Sequence, residues 1–162
     1  MASSSAIQLS DLALTWSNAR GDADVSLIDS DLASDRGLIT AVLLSLLLDR
    51  RANDDDVPSS GDATDRRGWW GDEFATVSSD KYGSRLWLLD RSKRSSETVL
   101  LAKEYASEAL RWMVEDRVVT SADVGVEPSA NGILISVVLN RPGRDPVSFR
   151  FDRVWDHQQE DI

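Results

Sequence analysis

Asn131-Gly132-Ile133-Leu134-Ile135-Ser136-Val137-Val138-Leu139 decides the reading of this chain. Aliphatic residues, mostly β-branched, run almost unbroken from Ile133 to Leu139. Such a run suits a central strand better than an edge. Asn-Gly ahead of it is a hairpin turn signal. Upstream, Val124 and Val126 alternate with small and charged residues. Downstream, Arg141-Pro142-Gly143-Arg144-Asp145-Pro146 reads as a second turn. Val147, Phe149 and Phe151 then alternate with Ser148, Arg150 and Asp152, the pattern of a half-exposed strand. Three antiparallel strands are expected in the last third.

Helical spacing precedes them. Ala102, Tyr105, Ala106, Ala109, Leu110, Met113 and Val114 form an apolar stripe over residues 96–116, with Lys103, Glu104, Ser107, Glu108 and Arg111 opposite. A short helix over 85–90 has Ser84 as a plausible cap. Earlier still, residues 38–49 are apolar on nearly every side, so this helix belongs inside a core or between subunits. Ser34 or Asp35 could cap it, and Arg50-Arg51 would complement its dipole. The expected class is α+β: an antiparallel sheet in the C-terminal third packed against a long amphipathic helix and a buried N-terminal helix. Residues 12–16 suggest a short half-buried strand. Residues 17–31 read mostly as loop, with a short extended piece at 25–28.

At 162 residues and 17.9 kDa, the chain fits a single domain over 1–162. Residues 1–10 and 156–162 are expected as flexible tails, and 52–65 as an acidic, solvated loop. Its triple Asp54-Asp55-Asp56 invites a calcium reading. An EF-hand loop needs glycine at its sixth position, where Asp54 as the first gives Ser59 and Asp29 as the first gives Ser34. No metal or other cofactor is expected.

Asp65-Arg66-Arg67-Gly68-Trp69-Trp70-Gly71-Asp72-Glu73-Phe74 is the most unusual segment. On an extended chain adjacent side chains face opposite ways. One tryptophan can then enter the core while the other faces a partner or a second layer; the alternative is a buried structural turn. Arg67 and Asp72 are placed to brace the loop.

Absences narrow the function. There is no cysteine, which excludes disulfides, thiolate catalysis and thiolate zinc sites. The one histidine, His157, lies in a polar terminus and reads as an ordinary surface residue. The N-terminus lacks the pattern of a signal peptide. The longest apolar stretch, residues 38–48, falls well short of the ~20 residues that span a bilayer. Acids outnumber bases 28 to 18, giving a net charge of −10. Residues 1–65 hold 12 acids and 4 bases; the remainder holds 16 and 14. This balance argues against nucleic acid and against an anionic membrane as partners.

Arg66-Arg67-Gly68-Trp69-Trp70-Gly71-Asp72, then Gly83-Ser84-Arg85-Leu86-Trp87-Leu88, then the long helix and the strand at 132–139 resemble the small baseplate protein family of Mu-like contractile phages and prophages. The resemblance covers about residues 10–155. That family is similar in turn to the baseplate wedge proteins of contractile tails, or sheath initiators. These carry Glu-Pro-Arg after their long helix, where this chain reads Glu115-Asp116-Arg117. The resemblance implies a structural protein, not an enzyme, in the virion tail baseplate, assembled in the bacterial host cytoplasm. It implies other wedge proteins and the tail sheath protein as partners, and six copies or a multiple. Glu115 and Arg117 would tie the domain to the wedge core, and the C-terminal sheet would seed sheath attachment by β-strand addition. Partner contact is assigned to Arg67, Trp69, Trp70, Asp72, Glu115 and Arg117.

Two rivals remain. Some members of the wedge group are described as lysozyme-like, and a glycosidase needs two carboxylates at a set separation, one with a raised pKa. Asp72, Glu73, Glu104, Glu108 and Glu115 are the candidates, but most sit on a wet helix face or beside arginines, which favours ionised acids. The other rival is a free-standing protein-binding module, in which the six tryptophans are plain core.

Overall fold

The computed structural model describes residues 11–154 apart from 13, 18–21, 26, 29–30, 33, 36–37, 59–60, 63, 75–80 and 94. The expected tails and His157 lie outside the described residues. The chain divides into two units, residues 1–43 and 44–162.

The first unit is built from short antiparallel pairs. β2 (Leu14–Ser17) pairs with β3 (Asp22–Val25), and β4 (Leu27–Ile28) with β5 (Asp31–Leu32). β1 (Asp11–Leu12) and β6 (Ser34–Asp35) pair around them. The loop expected over 17–31 is therefore largely hairpin. The strand expected over 12–16 is present as β2, and the extended piece expected at 25–28 overlaps β3 and β4; the other strands, two to four residues long and several of them acidic, are too short for hydrophobic alternation to register. Ser34 and Asp35 are strand residues rather than a helix cap.

α1 (Leu38–Leu47) starts where expected and stops two residues early. Tertiary pairing takes the chain over at that point. Ser84 N–H donates to Leu48 O at 2.8 Å, and Arg50 N–H to Ser84 O at 3.0 Å. Arg50 and Arg51 thus lie beyond the last helical turn. Val42, Leu43 and Leu46 are buried, but Ile39 and Leu44 are exposed, so the helix does have an open side.

In the second unit, a 3-10 turn over Leu86–Leu89 buries all four of its side chains. Ser84 supports its entry: the hydroxyl donates to Leu46 O and accepts from Leu86 N–H. α2 (Ser96–Ala109) is capped by Ser95, whose Oγ accepts from Thr98 N–H at 3.1 Å. Thr98, Ala102, Tyr105, Ala106 and Ala109 form its buried face. The helix expected to run to 116 breaks at Leu110. There the N–H is shared between Ala106 O and Glu108 O, and α3 (Arg111–Glu115) follows. Leu110 at the break and Met113 beyond it are both fully buried.

β7 (Ser121–Pro128), β8 (Gly132–Arg141) and β9 (Arg144–Val154) form an antiparallel sheet in the order β7-β8-β9. The fold is α+β, with β8 central as its composition implied. Ile133, Ile135, Val137, Leu139 and Phe151 are buried on one face, while Leu134, Ser136 and Val138 are half-buried on the other. α2 and α3 run against β7. At the first turn Ser129 N–H donates to Gly132 O at 3.0 Å, which sets the phase of the ladder. Even-numbered residues of β8 bond to β7 and odd-numbered ones to β9. Val147, Phe149 and Phe151 therefore turn their backbone groups inward to β8. Ser148 and Arg150 turn theirs outward, and Pro146 falls in the irregularity between the Leu139–Val147 and Arg141–Arg144 pairs. Pro128 of β7 is outward by the same count. Each proline sits where a missing N–H leaves no ladder bond unmade.

Candidate assembly surface

Arg67 and Gly68 reverse the chain. Arg67 has φ 40° and Gly68 has φ 113°, a region open to glycine alone without strain. A Cβ at Gly68 would also lie 2.9 Å from Arg51 Cβ. After this reversal, Trp70–Phe74 form a 3-10 turn, with Asp72 N–H donating to Trp69 O at 3.1 Å. The Trp69 ring folds back over Gly71, where any added Cβ would collide with it.

Four rings gather as a result. Trp69 lies 5.6 Å from Trp70 and 5.1 Å from Tyr82, and Trp70 lies 6.2 Å from Phe74. All four are exposed: Trp69 37%, Tyr82 49%, Trp70 73% and Phe74 76%. The expectation that one tryptophan enters the core is corrected. It assumed an extended chain, and the 3-10 turn does not alternate its side chains.

Behind this surface Arg67 and Asp72 do brace the loop, though not through each other. Arg67 Nη1 donates to Asp49 Oδ2 at 2.8 Å, and Nε reaches Asp65 Oδ2 at 3.5 Å. Its guanidinium carbon stands 4.5 Å over the ring of buried Trp87, whose Nε1–H donates to Arg50 O. Burial pulls the Arg67 pKa down, but the Asp49 and Asp65 carboxylates outweigh it, and the net shift is upward. Asp72 Oδ1 accepts from Tyr82 N–H at 3.1 Å. Its Oδ2 is buried and has no donor among the described residues.

The strongest polar cluster centres on Arg85, a residue that sequence reasoning passed over. Arg85 Nη1 meets Asp56 Oδ1 and Oδ2 at 2.9 and 3.0 Å. Nε and Nη2 meet Glu108 Oε2 at 3.0 and 2.9 Å. The guanidinium carbon lies 4.4 Å over the Tyr105 ring. Burial lowers the Arg85 pKa, and the two carboxylates more than reverse this, so the group is held charged. Burial raises the Tyr105 pKa, and the Asp56 charge adds to that. Arg66 clasps the same loop through Asn53 O at 2.6 Å and Asp56 O at 3.1 Å. The acidic loop is thus solvated at Asp54 and Asp55 but tied down at Asp56. Among the described residues no group of three or more acids or histidines could hold a metal ion.

A cleft of about 560 Å³ is lined by Ser45, Lys81, Tyr82, Glu108, Trp112 and Glu115, among others. Tyr82 belongs both to the aromatic cluster and to this cleft. Trp112 Nε1–H donates to Ser45 Oγ at 3.0 Å across it. Trp69, Trp70, Asp72 and Glu115 are therefore brought to neighbouring parts of one surface. Arg117 does not line the cleft. It is exposed, has φ 59°, and closes α3 by donating its N–H to Val114 O. Of the other acids, Glu73 and Glu104 are exposed and Glu108 is held by Arg85.

The sequence profile of the family described as Phage protein GP46 matches residues 38–146. The chain belongs to this family. The match runs from α1 into β9 and takes in the aromatic turn, the Arg85 cluster and the cleft. "Baseplate protein gp46" of Escherichia phage Mu is 38% identical over 144 residues, covering 88% of this chain and 95% of that protein. "Mu-like prophage FluMu protein gp46" of Haemophilus influenzae is 34% identical over 150 residues, covering 91% and 98%. The likeness thus spans nearly the full length of each GP46 relative. No described helix of this GP46 family chain is long and apolar enough to cross a membrane.

Proposed function

We propose that this chain is a non-enzymatic structural component of a contractile phage tail baseplate, which joins the wedge core and seeds sheath attachment by β-strand addition. The near full-length similarity to a protein named as a baseplate protein carries the reading. The sheet supports its second half. β7 lies against helices, whereas β9 turns Ser148 and Arg150 outward as hydrogen-bonding positions that an incoming strand can use. Other wedge proteins would meet the surface of Trp69, Trp70, Asp72 and Glu115, with Arg67 holding it in shape and Arg117 placed at the end of α3. Six copies per virion, assembled in the host cytoplasm without nucleic acid or membrane, complete the proposal.

Ser148→Pro tests the strand step. It removes an outward N–H and no ladder bond to β8, so the isolated protein should stay folded while sheath attachment fails in reconstituted tails. Normal sheath attachment by the folded variant would remove β9 from the proposal.

A further inference from the structure

This chain twice builds the same arrangement: an arginine lying on an aromatic face and held from the side by two carboxylates. Arg67 lies on Trp87 between Asp49 and Asp65. Arg85 lies on Tyr105 between Asp56 and Glu108. The aromatic turn offers an exposed ring and an exposed carboxylate, and lacks the cation. Trp70 is exposed, and Asp72 and Glu73 follow it in one 3-10 turn. Residues i and i+3 eclipse in such a turn, which sets Glu73 on the same side as Trp70. Glu73 is exposed, so its carboxylate is open to a partner, whereas Asp72 is turned inward, with Oδ1 on Tyr82 N–H and Oδ2 buried. Among those residues no guanidinium or ammonium lies over Trp70 or Phe74. The chain as a whole carries a charge of −10.

We infer that the Trp70–Phe74 turn is a receptor for an arginine side chain of a partner protein, presented on a basic segment. The guanidinium stacks on the Trp70 face and donates to the carboxylate of Glu73. A planar, forked cation fits this better than an ammonium, because it can stack and donate in its own plane at once. Exposed Phe74 and Trp69 flank the stacked group and exclude water from it. The inference rests on the assembly reading for its biological partner, but the chemistry is testable without one.

The probe is an acetylated, amidated Gly-Arg-Gly-Arg-Gly peptide, titrated into the full chain by calorimetry and by tryptophan fluorescence. Two control peptides replace arginine by lysine or by citrulline, the uncharged isostere. The arginine peptide should bind, with affinity falling as salt rises. Lysine should bind more weakly, and citrulline about tenfold more weakly or not at all. Glu73→Gln and Trp70→Leu should each weaken the arginine peptide severalfold, with unchanged melting curves, since both residues are exposed. Equal binding of arginine and citrulline peptides would overturn the inference, because the pocket would then be merely apolar. So would unchanged binding by Trp70→Leu, or the absence of any binding by the arginine peptide. If peptide binding fails while Trp70→Leu still blocks baseplate assembly, the assembly surface stands and the arginine receptor falls. If the peptide binds as stated while Trp70→Leu assembles normally, the receptor stands and its place in the baseplate falls.

Discussion

Gly68, Gly71 and Trp70 show how one motif divides its labour at the scale of the residue. Gly68 supplies a positive φ and room beside Arg51. Gly68→Ala should therefore cost about 1 kcal/mol or more in urea unfolding. Trp70 is mostly exposed. A buried tryptophan would cost ~3–5 kcal/mol on truncation to alanine, whereas Trp70→Ala should change stability by only about 0.5 kcal/mol and act on assembly instead. Equilibrium unfolding of both variants separates scaffold from contact. Tyr105 gives a pH signature. Its folded pKa is raised above 10.0, so the unfolded chain loses its phenolic proton first as pH rises. Stability is full below pH 10 and falls as pH climbs from there through the folded value. Tyr105→Phe should flatten that part of the decline in alkaline melting curves.

Elements were legible where their pattern outlasted their ends. β8 announced itself through the Ile133–Leu139 run, and β9 through strict alternation of Val147, Phe149 and Phe151 with polar residues. The stripe of α2 was equally plain. Before residue 36, β2 was legible through the alternation of Leu12, Leu14 and Trp16, and the extended piece at 25–28 falls on the end of β3 and on β4; the remaining pieces of two to four residues carry too little periodicity. The break at Leu110 was invisible as well: neither proline nor glycine marks it, and the stripe continues through Met113. Trp69-Trp70 misled through geometry, since a 3-10 turn replaced the extended chain that alternation requires. The phase of the ladder makes a paired prediction at this scale. Proline at 148 faces outward and should cost little. Proline at Phe149, which turns its N–H to β8, should cost about 3 kcal/mol or more and unfold the sheet. Circular dichroism of the two variants checks it.

Across residues 44–162, coherence depends on contacts that spacing along the sequence cannot show. Arg85 reaches Asp56 and Glu108, 29 and 23 positions away, and so fastens the acidic loop to α2. Composition presented Asp56 as one of a solvated triple; only the folded chain singles it out. Removing one partner from so enclosed an ion cluster leaves charges unpaired. Arg85→Ala should cost roughly 2–4 kcal/mol. Arg85→Lys should recover part of that, since an ammonium cannot make two forked contacts. Thermal melts with and without added salt measure both. The aromatic surface was partly legible: the motif stood out, but its four-ring makeup needed Phe74 and Tyr82 brought in by the turn.

The placement of Pro146 bears on how firmly a neighbour can hold on. A strand laid along β9 finds an N–H at Ser148 and at Arg150 but none at Pro146, so its ladder begins abruptly. Each net backbone bond contributes about 0.5–1.5 kcal/mol, which leaves a single such graft weak and readily undone. Strength would then come from simultaneous engagement around a ring, as linked sites raise one another's effective concentration. A misplaced subunit would let go, while a completed circle would hold.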